Sequence, residues 1–312
     1  GQEVVPNSGC GSWLLEPQST NLIPYSEDFS DASWTKGTNI TLTYEPNIIA
    51  PDGSLGVYRL QLPTLSSTFL QFQTGVGYKN YTGSIYAKKA SVSDEGFNLF
   101  YGGSISALFI PTDNWQKYDY NGNGNQFSIV NDGDVFETDI YIWGAQLEEN
   151  SYSTSYIPTQ GATSTRLQDI ATNSGNASLI NSEEGVLYAE IETFSQTGTF
   201  RQINLNNGST SSRIYISKRA ENDLLEFRMD NSLGNLNFGF PINTTNQFIK
   251  VAFRYGLNNF AVFINGVNRN VTPTGNVFST GTLNNLEFNS PLNQPFYGKN
   301  KALAVYKTAL TD

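Results

Sequence analysis

The sequence predicts an all-β protein: two tandem β-sandwich bodies of the jelly-roll kind behind an irregular N-terminal arm. Three observations carry this. Short stretches of alternating apolar and polar residues recur along the chain, parted by Gly, Asn, Asp and Pro. Aromatic residues make up 13% and charged residues only 15%, with Asn, Ser, Thr and Gly abundant, which suits strands and tight turns better than long helices. The alternation also lapses once, between about 160 and 182, and then restarts, and 312 residues are enough for two cores.

Taken in order, residues 1–19 read as an extended arm. Few strand signals precede Lys36, and Leu14, Leu15, Leu22, Ile23 and Phe29 are expected to anchor this segment over the first body, with a helical turn at Ser26–Phe29. The first body spans 20–170. Its expected strands are Ile40–Tyr44, Val57–Leu62, Phe69–Thr74, Thr82–Lys88, Gly96–Tyr101, Ala107–Ile110, Trp115–Tyr120, Gln126–Val130 and Thr138–Leu147. Pro51-Asp52-Gly53, Asn121-Gly122-Asn123-Gly124 and Asn131-Asp132-Gly133 read as turns. Residues 171–182, poor in aromatics, read as a linker. The second body, 183–312, opens with Gly185–Phe194 and closes with Phe296–Tyr306, after which Thr308–Asp312 resembles the first turn of a helix. Asn265-Gly266, set between Val262-Phe263-Ile264 and Val267, is the strongest hairpin signal in the chain.

Composition excludes several functions. A formal charge of −10 disfavours nucleic acid and anionic lipid, and no apolar run is long enough for a membrane span, so neither nucleic-acid binding nor membrane insertion is expected. There is no His, which removes Ser-His-Asp and Cys-His catalysis and the usual zinc sites. A single cysteine, Cys10, allows no intrachain disulfide. The opening GQEVVPNSGCGS reads as the cut edge of a longer chain.

Four motifs recur together: LLEPQSTNLIPYSEDFS followed by Trp34-Thr35-Lys36, then WGAQLEE, then TSYIPT, then STR. In that order they resemble a module of bacteriophage and prophage virion and tail proteins, frequent in those of Bacteroidetes, which is itself similar to the carbohydrate-binding jelly rolls of glycoside hydrolases. The second half, from SLINSEEGVLYAEIE through FAVFINGV to FYGKNKALAVYKTALTD, resembles a laminin-G-like or concanavalin-A-like domain. The resemblance implies a non-catalytic virion surface protein, part of a tail fibre or spike, that attaches to a host. Its implied partners are a bacterial surface polysaccharide or glycan, other virion proteins, and further copies of itself, as in a homotrimer. Two alternatives stand beside it: a virion decoration protein with no ligand, and an ancillary carbohydrate-binding segment of a secreted polysaccharide-degrading enzyme. The family carries more sequence ahead of the LLEP motif than this chain does.

Three candidate sites follow from residue types. On Thr138–Leu147, Tyr141 and Trp143 point to one side and Ile140 and Ile142 to the other. Tyr141 and Trp143, joined by Tyr86, Lys88, Tyr101 and Trp115, form either a sugar-stacking platform or part of the core. Glu190-Ile191-Glu192 resembles part of the acidic E-x-D-x-x-E strand of concanavalin-like glucanases, but Phe194 and Ser195 stand where the third acid is needed, so no catalytic residue is assigned. No cofactor is read from the sequence beyond Ca2+, for which Asp132 and Asp134 are the candidate ligands, with Glu27, Asp28 and Asp31 as a second acidic loop.

Overall fold

The structure, a computed structural model, describes residues 11–64, 68–91, 96–131, 137–194, 200–219, 224–244, 247–269 and 274–310. Among them every regular element is a strand. The chain forms two units, Gln18–Leu167 and a second made of the residues up to Pro17 together with Gln168–Asp312. The first strand, β1 (Trp13–Leu15), belongs to the second unit.

The Gln18–Leu167 unit holds β2 (Ser19–Asn21), β3 (Trp34–Lys36), β4 (Thr41–Ile49), β5 (Leu55–Leu62), β6 (Phe69–Gln73), β7 (Lys79–Lys89), β8 (Asn98–Gly102), β9 (Gln116–Val130), β10 (Thr138–Glu148) and β11 (Ser164–Arg166). Eight of these make one antiparallel sheet, in the order β3-β6-β9-β7-β10-β5-β4 with β8 also on β9. The long β9 changes partner along its length. Residues 116–124 pair with β7, and from Gly124 on pairing passes to β8, with β6 also bound to that half. The sheet thereby folds over itself into two layers. Leu60, Ile85, Ile140 and Ile142 of one layer enclose a core with Leu70, Leu99, Phe127 and Ile129 of the other. Burying each such side chain contributes about 1.5–3 kcal/mol.

The second unit continues with β12 (Glu184–Thr193), β13 (Phe200–Asn206), β14 (Ser212–Arg219), β15 (Leu224–Asn231), β16 (Leu236–Pro241), β17 (Ile249–Gly256), β18 (Ala261–Ile264), β19 (Val267–Asn268), β20 (Asn285–Glu287) and β21 (Gly298–Tyr306). It is a sandwich of a six-stranded sheet, β1-β21-β12-β17-β18-β19, and a five-stranded one, β16-β15-β14-β13-β20. Leu187, Ile191, Val251 and Phe253 of the first meet Ile203, Ile216, Phe227 and Met229 of the second in one core. Asn265 and Gly266 turn the β18–β19 hairpin with positive φ at both positions, as an Asn-Gly turn requires.

Several expectations need correction. The expected anchoring holds in part: Ile23 and Phe29 are buried in the first body's core with Leu22 packed against it, whereas Trp13–Leu15 leaves that body and adds an edge strand, β1, to the second unit's sheet, with Trp13 opposite Asn300 and Leu15 opposite Gly298. An extended Trp-Leu-Leu segment satisfies its backbone by joining an open sheet edge. The break between units falls at Leu167/Gln168, ahead of the expected linker. That linker is no free tether, since Ser174 bridges Leu286, Phe288 N–H donates to Ala171 O, and Ile180 is buried in the second unit's core. Ala107–Ile110 forms no strand, only a bridge from Phe109 to Phe97. Ser26–Phe29 is irregular rather than helical, because the Ser26 amide bonds across to Thr159 instead of starting a turn.

The Asn121–Gly124 run is the most instructive miss. It lies inside β9, where Gly122 and Gly124 are needed for contact rather than for turning: a Cβ on Gly124 would overlap the Tyr101 carbonyl. Pro51-Asp52-Gly53, by contrast, is a turn, closed by Gly53 N–H to Ala50 O at 3.0 Å with Gly53 at φ 88°.

Candidate functional site

The four motifs that carry the resemblance meet in one buried polar clasp. Asn21 of β2 sits at its centre. Its Nδ2 donates to Ala145 O (3.1 Å) and Ile157 O (3.0 Å), and its Oδ1 accepts from Ile23 N–H and Leu147 N–H, both at 3.1 Å. Gln146 accepts from Ile157 N–H at 2.6 Å, and Thr159 Oγ1 donates to Ile23 O at 2.7 Å. Glu148, fully buried, accepts from Ser19 Oγ, from Thr154 N–H and Oγ1, and from Gln146 Nε2. The STR motif is β11, zipped onto β2 from Ser164 opposite Asn21 to Arg166 opposite Ser19. A bulge between Trp143 and Gln146, with Gly144 at φ 65°, turns Gln146 and Glu148 into this network. Buried polar groups this well satisfied fix a single arrangement of the chain.

The expected aromatic platform divides. Tyr86, Lys88, Tyr141, Trp143 and Trp115 do come together on the outer face of β7 and β10, and Ile140 and Ile142 face the core. Trp143, however, is only 3% exposed: Tyr156 lies on it at 4.6 Å, Tyr86 meets it edge-on at 5.6 Å, and Ala50 and Val57 share its cluster. Lys88 Nζ stands 5.1 Å from the centre of the Trp115 ring and 5.4 Å from that of Tyr141, and Trp115 Nε1 donates to Ile49 O. Trp143 therefore offers no open indole face to a sugar, while Tyr86, Lys88, Trp115 and Tyr141 around it are half-buried. Tyr101 is on the opposite face, fully buried, with its hydroxyl accepting from Gly83 N–H (2.8 Å) and donating to Tyr120 O (2.5 Å). Burial drives its hydroxyl pKa far up, so it serves as a neutral structural donor.

Beside the clasp a cleft of about 580 Å³ opens in the same unit, within the ~300–1,000 Å³ range of small-ligand pockets. One wall is the segment from Tyr25 to Asp28, zipped to Pro158–Gln160 by the Tyr25–Gln160 bridge and by Thr159 N–H to Ser26 Oγ at 2.9 Å. The other wall is the β4–β5 hairpin, where Tyr44 and Tyr58 are cross-strand partners with ring centres 5.3 Å apart. Tyr58 is rooted in the core against Phe29, whereas Tyr44 is 53% exposed. Gly56 (φ 107°) makes room for Tyr44, whose hydroxyl occupies the place a Cβ would take. The aromatic wall is thus held before any ligand arrives.

Two carboxylates complete the lining. Glu27 accepts from Tyr156 OH at 2.8 Å, and that hydroxyl also lies 2.6 Å from Ser26 Oγ. Asp28 Oδ1 accepts from Ser30 N–H (3.0 Å), Ser30 Oγ (2.6 Å) and Tyr58 OH (2.7 Å). The bonds from Ser30, then that from Tyr58, hold the Asp28 carboxyl below its usual range. Burial, with smaller help from Asp28, raises the Tyr58 hydroxyl.

Of the metal expectations, Asp132 and Asp134 lie outside the described residues. Asp28 and Asp31 each spend an oxygen closing a turn, and among the described residues no group of three His, Cys, Asp or Glu side chains could hold an ion. Glu190 and Glu192 stand near the lysines of the neighbouring strand, Lys301 at 3.7 Å and Lys299 at 3.5 Å, as an ion-paired strand face rather than an acid–base pair.

Sequence reasoning passed over Tyr25, Tyr44 and Tyr58 because Ile40–Tyr44 and Val57–Leu62 read simply as core strands. Gly56, two residues before Tyr58 and inside an apolar strand, was the available sign of a close approach.

No protein-family model matches the chain, and no curated protein matches it. Among solved structures it is similar to the CBM40 of the Ruminococcus gnavus IT-sialidase bound to α2,3 sialyllactose, at 15% identity and a TM-score of 0.38, covering 46% of this chain and 90% of that one. The same CBM40 bound to α2,6 sialyllactose gives 16% and 0.37, covering 47% and 94%. Domains LG4-5 of the mouse laminin α1 chain give 9% and 0.31, covering 90% and 94%. At such identities and scores the ligand named for those proteins does not transfer to this chain.

Proposed function

We propose that this chain is a non-catalytic glycan-binding protein whose sugar site is the cleft between Tyr25–Asp28 and the β4–β5 hairpin. The observation that carries this is the fixed aromatic pair Tyr44–Tyr58 standing over two anchored carboxylates in an open, ligand-sized cleft. Sugar rings stack their C–H faces on such rings, while carboxylates accept from ring hydroxyls. Chemistry on the sugar is not part of the proposal.

The biological setting proposed is the one the motifs resemble: a bacteriophage virion surface, where several copies, as in a trimer, attach the particle to a bacterial polysaccharide through weak sites added together. Calcium at Asp132 and Asp134 stays within the proposal, tested by whether added Ca2+ raises the melting temperature and chelator lowers it.

The test is a broad bacterial-glycan array on the full chain, followed by calorimetric titration of each hit against Tyr44→Ala. Loss of about twofold to tenfold in affinity is expected, since stacking on one ring contributes about 0.5–1.5 kcal/mol. An array with no binder, or hits that Tyr44→Ala leaves untouched, would remove the cleft from consideration.

A further inference from the structure

The charge of the cleft is as informative as its shape. Glu27 and Asp28 line it, and no Lys or Arg does. Asp52 sits at the rim, where its Oδ1 accepts from the backbone and hydroxyl of Ser54, a lining residue. Lys36 Nζ, close by in sequence, donates to the Ser30 carbonyl rather than to either acid. Among the described residues neither lining carboxylate has a cationic partner: Glu27 is met by a tyrosine hydroxyl, and Asp28 by hydroxyls and an amide.

The bonds from Ser30 N–H, Ser30 Oγ and Tyr58 OH all fall on Oδ1 of Asp28, with the Asp31 amide also acting on its carboxylate, so the acid is fixed in place while it lines the cleft. The exposed ring of Tyr44 beside these acids adds a face that attracts cations. Elsewhere in this chain carboxylates do take cations: Asp139 holds Arg59 and Asp230 holds Arg213, both at 2.6 Å. The cleft alone among these settings offers two acids, aromatic faces and open volume together.

Resting on the sugar-site reading above, we infer that the cleft selects a sugar bearing a free, protonated amine, a 2-amino-2-deoxy sugar unit, over its N-acetylated form and over acidic sugars. The ammonium sits between the Asp28 and Glu27 carboxylates while the pyranose ring lies on Tyr44. N-acetylation removes the charge. A sialyl or uronyl carboxylate meets two like charges with no counter-cation in the lining.

Calorimetric titration of the full chain with glucosamine oligomers, N-acetylglucosamine oligomers and sialyllactose tests this. The de-acetylated oligomer is expected to bind about tenfold more tightly than the acetylated one, as one ammonium–carboxylate contact near a protein surface allows, and sialyllactose weakest. High salt narrows the gap. Asp28→Asn and Glu27→Gln each narrow it too. Leu55→Lys, on an exposed lining residue that makes no side-chain bond, closes it without touching the acids.

Equal binding of the two oligomers, with both weakened by Tyr44→Ala, overturns the inference and leaves the sugar site standing. Tighter binding of sialyllactose overturns it as well. Oligolysine bound as tightly as the amino sugar makes the cleft a general cation site, which also defeats it. If none of these sugars binds and a wide panel is silent, the inference and the sugar site fall together.

Discussion

Asn21→Ala is the sharpest probe of the clasp. The side chain is fully buried and makes four hydrogen bonds, two donated to carbonyls and two accepted from amides. Truncation orphans two N–H groups and two C=O groups in a place water does not reach. Each unsatisfied buried group costs about 1–3 kcal/mol. Carbonyls keep a second lone pair and neighbours relax, so the four do not add in full. A loss of about 3–5 kcal/mol is therefore expected, a large share of a domain's ~5–15 kcal/mol. The assay is urea unfolding followed by tryptophan fluorescence. Trp34, Trp115 and Trp143 lie in the Gln18–Leu167 unit and only Trp13 in the other, so the signal reports mainly on the mutated body. A shift below about 1 kcal/mol would show that the clasp does not hold the fold.

Other outcomes follow from the same geometry. Trp143→Ala should destabilise this unit by about 3–5 kcal/mol while leaving sugar affinity unchanged, measured by unfolding and calorimetry; a binding defect in the still-folded protein would restore the platform reading. Gly124→Ala should lower the melting temperature more than Gly53→Ala, because a methyl at 124 meets the Tyr101 carbonyl whereas the site at 53, though also strained in φ, is open. Asp28 has a folded pKa below its unfolded value, so its contribution is complete above the unfolded pKa and is lost as pH falls through the folded one. Melting curves of the wild type and Asp28→Asn should thus differ at neutral pH and converge in acid, once the pH has fallen through the lowered folded pKa of Asp28; a gap that persists in strong acid would contradict the assignment.

The sheets were legible because burial imposes a period of two, and that period survives wherever one face is wet and the other dry. It located β5, β10 and β12 to within a few residues. It could not reveal β1, β2, β3 and β11, which at three residues each are too short to show a period and exist only because a distant partner is present. Glycine misled in β9 because the same residue serves a turn and a close approach, and only the facing Tyr101 tells them apart. Tyr141 and Trp143 lie on the expected face of β10, whereas Tyr101 does not join them. Whether that face was open depended on Tyr156, which follows the strand and folds back over Trp143. The WGAQLEE and TSYIPT motifs were read as marks of a module, and their chemistry proves internal. Gln146, Glu148, Thr154 and Thr159 bond one another and the Ser19–Ser26 segment, whereas the exposed ring on the nearby cleft is the less conspicuous Tyr44.

The pairing of β1 with β21 has a consequence for synthesis. The strand Trp13–Leu15 leaves the ribosome ahead of the Gln18–Leu167 body, but its hydrogen-bond partner, Gly298–Tyr306, emerges only after that whole body has been made. The enclosed body can therefore ripen alone, while the early strand waits as an unpaired edge that a neighbouring nascent chain could capture. Release from the waiting state comes with the last strand, and an exchange of Trp13–Leu15 between two chains is the natural error of such an order.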